Sequence, residues 1–182
     1  IRDKNTDIHS KRQQKISNKF ILSREFINYN SKITLETETY NQFFNTEEKL
    51  IQLNEFHSGT TYRIFPIFGI NFETPFKIKD SKYDFTYKPN AQIILTPGIS
   101  NTSKISNEDS SNNSFTLKNI SSLNRYSGTD KMDNSKRINY GLNAKNELFN
   151  INFSQTYEFT NNSNFHYEQG NEDHLSDLLG SI

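Results

Sequence analysis

Tyr83-Asp84-Phe85-Thr86-Tyr87-Lys88-Pro89-Asn90-Ala91-Gln92-Ile93-Ile94-Leu95-Thr96-Pro97 sets apolar or aromatic residues at the odd positions and, but for Ile94, polar ones at the even positions. Successive side chains of a β-strand point to opposite faces, so the stretch predicts a strand with one greasy environment and one wet one. A tilted strand crosses a bilayer in ~9 to 11 residues, whereas strands of soluble sandwiches usually run ~5 to 6. Alternation sustained from 83 to 97 therefore predicts a strand that spans a membrane and protrudes. On this reading Asp84, Thr86, Lys88, Asn90 and Gln92 face a watery lumen, and their odd-numbered neighbours face hydrocarbon.

The same pattern recurs on both sides. Ile138, Tyr140, Leu142 and Ala144 alternate with Arg137, Asn139, Gly141 and Asn143; after a turn near Asn146-Glu147, Phe149, Ile151, Phe153, Tyr157 and Phe159 oppose Asn150, Asn152, Ser154, Thr156 and Glu158. This predicts a hairpin of strands over 137–146 and 148–159, with Gln155 the one polar residue on the greasy face. Tyr62, Ile64, Pro66, Phe68, Ile70 and Phe72 form another such face over 61–73, blurred by Phe65 and Ile67. Further strands are expected over 16–27, 32–44 and 175–182, and Glu47-Glu48-Lys49 before Leu50, Ile51 and Leu53 reads as a short helical turn within 45–59. Pro66 and Pro89 each remove a ladder donor, which predicts bulges or weak pairing. Tyr83, Phe85 and Tyr87 at one strand end, and Tyr157 and Phe159 at another, suit the aromatic girdles of a membrane barrel. Connections are short near 28–31 and 145–148, moderate near 74–82 and long over 98–136, and such asymmetry is expected of an outer-membrane barrel. The expected fold is all-β: up-and-down antiparallel strands, part of one large outer-membrane β-barrel domain with an extracellular loop at 98–136.

Composition narrows the rest. Only 32% of the 182 residues are hydrophobic, yet 15 Phe and 9 Tyr argue for order, since disordered chains are poor in aromatics. The 21 basic and 21 acidic residues balance, so no net field recruits nucleic acid. Absence of Cys removes disulfides, thiolate zinc sites and Cys nucleophiles together. No apolar run approaches the ~18 to 20 residues of a transmembrane helix. No signal peptide precedes Ile1, and the chain reads as an internal fragment whose targeting segment lies elsewhere. His9, His57, His166 and His174 lack metal-ligand spacing. Glu108, Asp109, Asp130 and Asp133 fit no calcium loop. With no nucleophile elbow or phosphate cradle, no catalytic, cofactor or metal-binding residue is expected.

Four motifs stand in a fixed order: Arg63-Ile64-Phe65-Pro66-Ile67-Phe68-Gly69, then Asn107-Glu108-Asp109-Ser110, then Leu123-Asn124-Arg125-Tyr126-Ser127-Gly128-Thr129-Asp130-Lys131 running on to Tyr140-Gly141, and last Leu175-Ser176-Asp177-Leu178-Leu179-Gly180. Over 61–182 this order resembles the barrel domain of the LPS-assembly family LptD. The resemblance implies a non-catalytic outer-membrane translocon of Gram-negative bacteria. In it a barrel plugged by the lipoprotein LptE receives lipopolysaccharide from a periplasmic bridge and inserts it into the outer leaflet. It also singles out Asn107, Asp109, Ser110, Asn124, Arg125, Gly128, Asp130, Lys131, Tyr140 and Gly141 as a signature that holds the loop or meets lipopolysaccharide. Phe115, Leu117, Ile120 and Leu123 are too apolar for a freely solvated loop, which points to one folded inward or over the barrel mouth. Arg125, Lys131, Lys136 and Arg137 suit phosphates, or else pair with Asp109, Asp130 and Asp133. Two rivals share the alternation: a porin-like channel, and a soluble β-sandwich adhesin or carbohydrate-binding module.

Overall fold

The computed structural model describes residues 10–79, 84–99, 101–110, 114–160, 171–172 and 174–182. Tyr83, His9 and His166 lie outside the described residues. Strands β1 (Arg12–Asn28), β2 (Ser31–Gln52), β3 (Glu55–Glu73), β4 (Phe76–Lys79), β5 (Asp84–Leu95), β6 (Lys136–Lys145), β7 (Asn150–Glu158), β8 (Asn171–Glu172), β9 (Leu175–Ser176) and β10 (Leu179–Ser181) form one antiparallel sheet. Neighbours in sequence are mostly neighbours in space, β1-β2-β3-β5-β6-β7-β9-β8, with β4 on β5 and β10 on β7. Among the described residues β1 and β8 end the path unpaired with each other, so the sheet is an open arc and not a closed barrel.

Two interruptions follow from local chemistry. β3 and β4 form a single strand broken at Thr74-Pro75: Glu73 pairs with Asn90 and Phe76 with Tyr87 in unchanged register. Pro75 has no N–H to give the ladder, and Thr74 N donates to Pro89 O at 3.2 Å instead. Pro89 thus sits where β5 passes from β3 to β4, and Pro66 pairs opposite Thr39 without a bulge. The bulges lie elsewhere, between Thr46 and Lys49 and between Leu50 and Gln52. This corrects the helical turn expected within 45–59. Glu47-Glu48-Lys49 imitates a helix opening but marks a bulge, with Glu48 at φ 50 and its amide on the Ser58 hydroxyl. Pairing continues to Gln52 opposite Glu55, and Asn54 at φ 64 closes a two-residue turn, a left-handed conformation Asn tolerates.

The sheet has two unlike faces. Phe65 and Ile67 are 1% and 0% exposed, whereas Ile64 and Phe68, which flank them, are 46% and 54% exposed. Register carries this sidedness across the arc. Tyr62, Ile64, Phe68 and Phe72 share one face with Ile93, Leu95, Ile138, Tyr140, Phe153 and Tyr157, and no second sheet covers it among the described residues. On this outward face Gln155 finds its partners, accepting from the Tyr140 hydroxyl at 2.7 Å and donating to Ser176 O at 2.8 Å. The opposite face is polar and carries the loop between β5 and β6. The core lies between that loop and the sheet: Tyr40, Phe65, Ile67 and Ile94 from strands, Leu123 and Met132 from the loop. Phe65, Ile67 and Ile94 break the alternation because they are the seat of the loop.

Candidate functional site: the loop seated on the polar face

Strands on both sides of the loop hold it. On one flank Lys15 of β1 donates from its single ammonium to Asp109 Oδ2 at 2.8 Å, Thr129 Oγ1 at 2.6 Å and Asp130 Oδ1 at 2.7 Å. Gln13 makes a reciprocal pair with the Ser106 backbone, at 2.9 Å to its carbonyl and 2.8 Å from its amide. Gln42 of β2 and Arg63 of β3 both donate to Thr129 O, at 2.8 and 2.6 Å, and Arg63 also reaches Asp130 O at 2.8 Å. In the middle Gln92 of β5 donates to Ser121 O at 2.9 Å and accepts from Asn139 at 2.6 Å. Below it Gly69 gives way to Leu123, whose Cδ2 lies 2.7 Å from where a Cβ would stand.

The other flank is a closed ionic cluster. Arg125 pairs with Asp133 and with Glu158 of β7; Arg137 of β6 donates to Asp133 Oδ2 at 2.9 Å and to Ser122 O at 2.6 Å. Ser135 adds its hydroxyl to Glu158 Oε2 at 2.8 Å. All four charged side chains are 0–1% exposed, two cations against two anions, so the cluster is neutral and dry. Charges removed from water persist only when paired and hydrogen-bonded. Burial opposes the Arg125 charge, but the Asp133 and Glu158 carboxylates more than restore it. Its guanidinium also lies 4.9 Å over the Phe115 ring.

Within the loop two aspartates clasp each other's backbone. Asp109 Oδ1 accepts from the amides of Thr129 and Asp130 at 3.0 and 2.8 Å; Asp130 Oδ2 accepts from those of Glu108 and Asp109 at 2.7 and 3.1 Å. Ser110 donates to Asp109 and accepts from the amides of Asp130 and Lys131, Asn107 exchanges two bonds with the Ser110 backbone, and Asn124 joins Gly128 O to the Asp133 amide. Burial works to raise the Asp109 carboxyl, but Lys15, the Asp130 amide and the Ser110 hydroxyl outweigh it and hold it at about 2, below the usual 3.8. A depressed carboxyl stabilises above its ordinary value and loses that contribution as pH falls through the depressed one. Proteolytic protection of residues 101–110 should therefore be flat from about pH 7 to about pH 5 and weaken from pH ~4 downward. Lys15→Met should already show weakened protection at neutral pH.

A cleft of about 470 Å³ remains where the loop edge, residues 121–129, stands off β1 and β2, with Lys19, Glu36, Glu38 and Tyr40 on the wall. Tyr40 donates to Glu38 Oε2 at 2.7 Å, and Lys19 pairs with Glu38 Oε1.

The structure thus gathers Asn107, Asp109, Ser110, Asn124, Arg125, Gly128, Asp130 and the Lys131 backbone into one loop scaffold. It separates two residues from them: Tyr140 points outward, and Gly141 lies on the loop-bearing face where a Cβ would stand 2.5 Å from Phe153 O. Asp84, Thr86, Lys88, Asn90 and Gln92 share the polar face, but of these Gln92 alone is buried under the loop. Arg125 pairs with Asp133 and Glu158, while Asp130 answers to Lys15. Of the cations suited to phosphate, Arg125 and Arg137 are spent internally and Lys136 stays exposed. Lys15 and Gln42 are not among the residues the sequence singles out, and Glu158 reads there only as a polar-face strand residue. The signal for them is a charged or amide side chain in a strand, on the face that also carries misplaced aromatics such as Phe44 and Phe65.

The family model of LPS transport system D, LptD, matches residues 4–182. The chain belongs to this family. The match extends through β1 and β2, where the motifs are absent, and ties the chain to LPS transport, in a family of outer-membrane LPS-assembly proteins of Gram-negative bacteria. A comparison with curated proteins finds no match.

Proposed function

We propose that this arc is part of the wall of the outer-membrane translocon that inserts lipopolysaccharide into the outer leaflet, with the loop between β5 and β6 as a fixed internal plug and no catalytic step. The observation that carries this is the sidedness: an uncovered apolar face backed by a polar face on which the loop is seated. In the intact barrel the apolar face meets lipid and the polar face the lumen, with Asp84, Thr86, Lys88 and Asn90 lining it below the loop. The turns at Tyr29-Asn30 and 146–149 then lie on the periplasmic side and the loop on the outer side, as short turns and long loops are arranged in such barrels. The lipoprotein LptE and the periplasmic bridge are the expected partners.

In full-length protein, Ile93→Asp should cost on the order of 2 kcal/mol or more, because a charge on the lipid face near mid-bilayer is expensive. Asn90→Asp, three strand positions from Ile93 and on the other face, should be mild. The readout is the heat needed to convert the folded barrel to its unfolded gel mobility. Equal tolerance at the two positions would contradict the membrane facing.

A further inference from the structure

A single charge interrupts the apolar face on its β1 side. Alternation turns Ile16, Asn18, Phe20, Leu22, Arg24 and Phe26 of β1 outward, and Arg24 is the one charged residue in that run. The outward residues of β2 and β3 beside it, from Ile33 to Thr39 and from Ile64 to Phe72, carry no charge. Among the described residues Arg24 has no carboxylate partner; its guanidinium carbon lies 5.0 Å over the Phe26 ring, on the side of the turn at Tyr29-Asn30. Depth accounts for a cation there. Arg24 is about four residues short of Asn28, the end of β1, which is roughly 13 Å of strand at ~3.3 Å per residue. Its register row runs through Leu35 and Ile70 to Ile93, which stands more than twice as far from the start of β5 at Asp84. Tilted strands carry such a row obliquely from rim to mid-bilayer, and Arg24 holds the rim end, where a lipid-facing cation costs little. Beside it runs a groove of about 390 Å³, with the short Thr37 between Leu22 and Phe68 in one row and Arg24, Leu35 and Ile70 in the next. The Leu22 row lies on the far side of Arg24 from the turn, so the groove leads from the cation toward the bilayer centre. Glu36 borders it too, but alternation turns that side chain to the polar face.

We propose that Arg24 and this groove bind one glycerophospholipid of the periplasmic leaflet, its phosphate on the guanidinium and an acyl chain along the groove. Such a site presupposes the membrane facing of the translocon reading and deepens it. A guanidinium offers paired N–H donors that match phosphate oxygens, and a cation on an apolar surface without a protein counter-charge gains from an anion supplied at headgroup depth. The apolar walls Leu22, Leu35, Phe68 and Ile70 suit a chain of methylenes. Polarity selects the leaflet. Phosphate on the turn side with chains rising toward mid-bilayer is how a periplasmic-leaflet lipid stands, whereas a lipid of the outer leaflet points its chains the opposite way.

The test titrates full-length protein, purified in detergent with its transport partners, with dioleoylphosphatidylglycerol and follows retained lipid by native mass spectrometry. The unmodified protein should hold one such lipid in preference to dioleoylglycerol, which lacks the phosphate. Arg24→Gln should weaken retention about tenfold, Arg24→Lys should recover part of it, and Thr37→Trp, which fills the groove, should weaken it with Arg24 intact; all three should keep the folded-barrel gel mobility. A photo-reactive residue at Thr37 in cells should capture phospholipid. Capture of lipopolysaccharide there instead would overturn the proposal, as would Arg24→Gln or Thr37→Trp holding phosphatidylglycerol as tightly as the unmodified protein. Failure of the unmodified protein to insert into vesicles of phosphatidylethanolamine and phosphatidylglycerol would sink the membrane facing itself, and this site with it.

Discussion

Arg125→Met is expected to be among the most damaging single changes in this chain. It leaves Asp133 and Glu158 sharing one cation, Arg137, inside a site with no access to water. Breaking a buried pair in this way costs about 3–5 kcal/mol. The folded barrel should convert to its unfolded gel mobility at a markedly lower temperature, and protease should reach residues 114–135. Charge balance supplies the internal check: Arg125→Met with Glu158→Gln leaves one cation against one anion and should be less harmful than Arg125→Met alone. Asp130→Asn belongs to the other flank, so its effect should add to that of Arg125→Met. Strong non-additivity between Arg125 and Asp130 would mean that the two flanks are one network after all.

Gly128→Ala is expected to release the opposite flank. A Cβ there would stand 2.3 Å from both Asp109 O and Asp109 Oδ1 and 2.5 Å from Asp109 C. Backbone cannot swing aside as a long side chain does, so the clasp of Asp109 and Asp130 has to part. Overpacking of this kind usually costs about 1–3 kcal/mol, and here it also misplaces the carboxylates that hold Lys15. Rapid cleavage within 101–110, with 114–135 still protected, is the expected pattern; Lys118→Ala, at an exposed position of the same loop, should leave both regions protected. Uniform protection in Gly128→Ala would show that the approach of the two segments is looser than described.

The sheet was legible because period-two alternation survives wherever one face meets a uniform environment, as over 84–95 and 136–145. Signature residues from Asn107 to Lys131 were legible through a family resemblance, and their apolar neighbours Ile120 and Leu123 betrayed a buried loop. The partners were not. Lys15 and Asp130 are 115 positions apart, and no local pattern announces which strand cation meets which loop carboxylate. Residues 45–59 misled for the opposite reason: Glu47-Glu48-Lys49 has the composition of a helix start, but pairing with β3 overrides a propensity worth only a few tenths of a kcal/mol per residue.

The clasp between Lys15 and the loop has a kinetic corollary. Each hairpin can close on its sequence neighbour, but the loop's two moorings demand β1 on one side and β7 on the other, strands at opposite ends of the chain. Contacts so remote in sequence form late. Docking of the loop should therefore close the maturation of this arc, after the wall itself has been built.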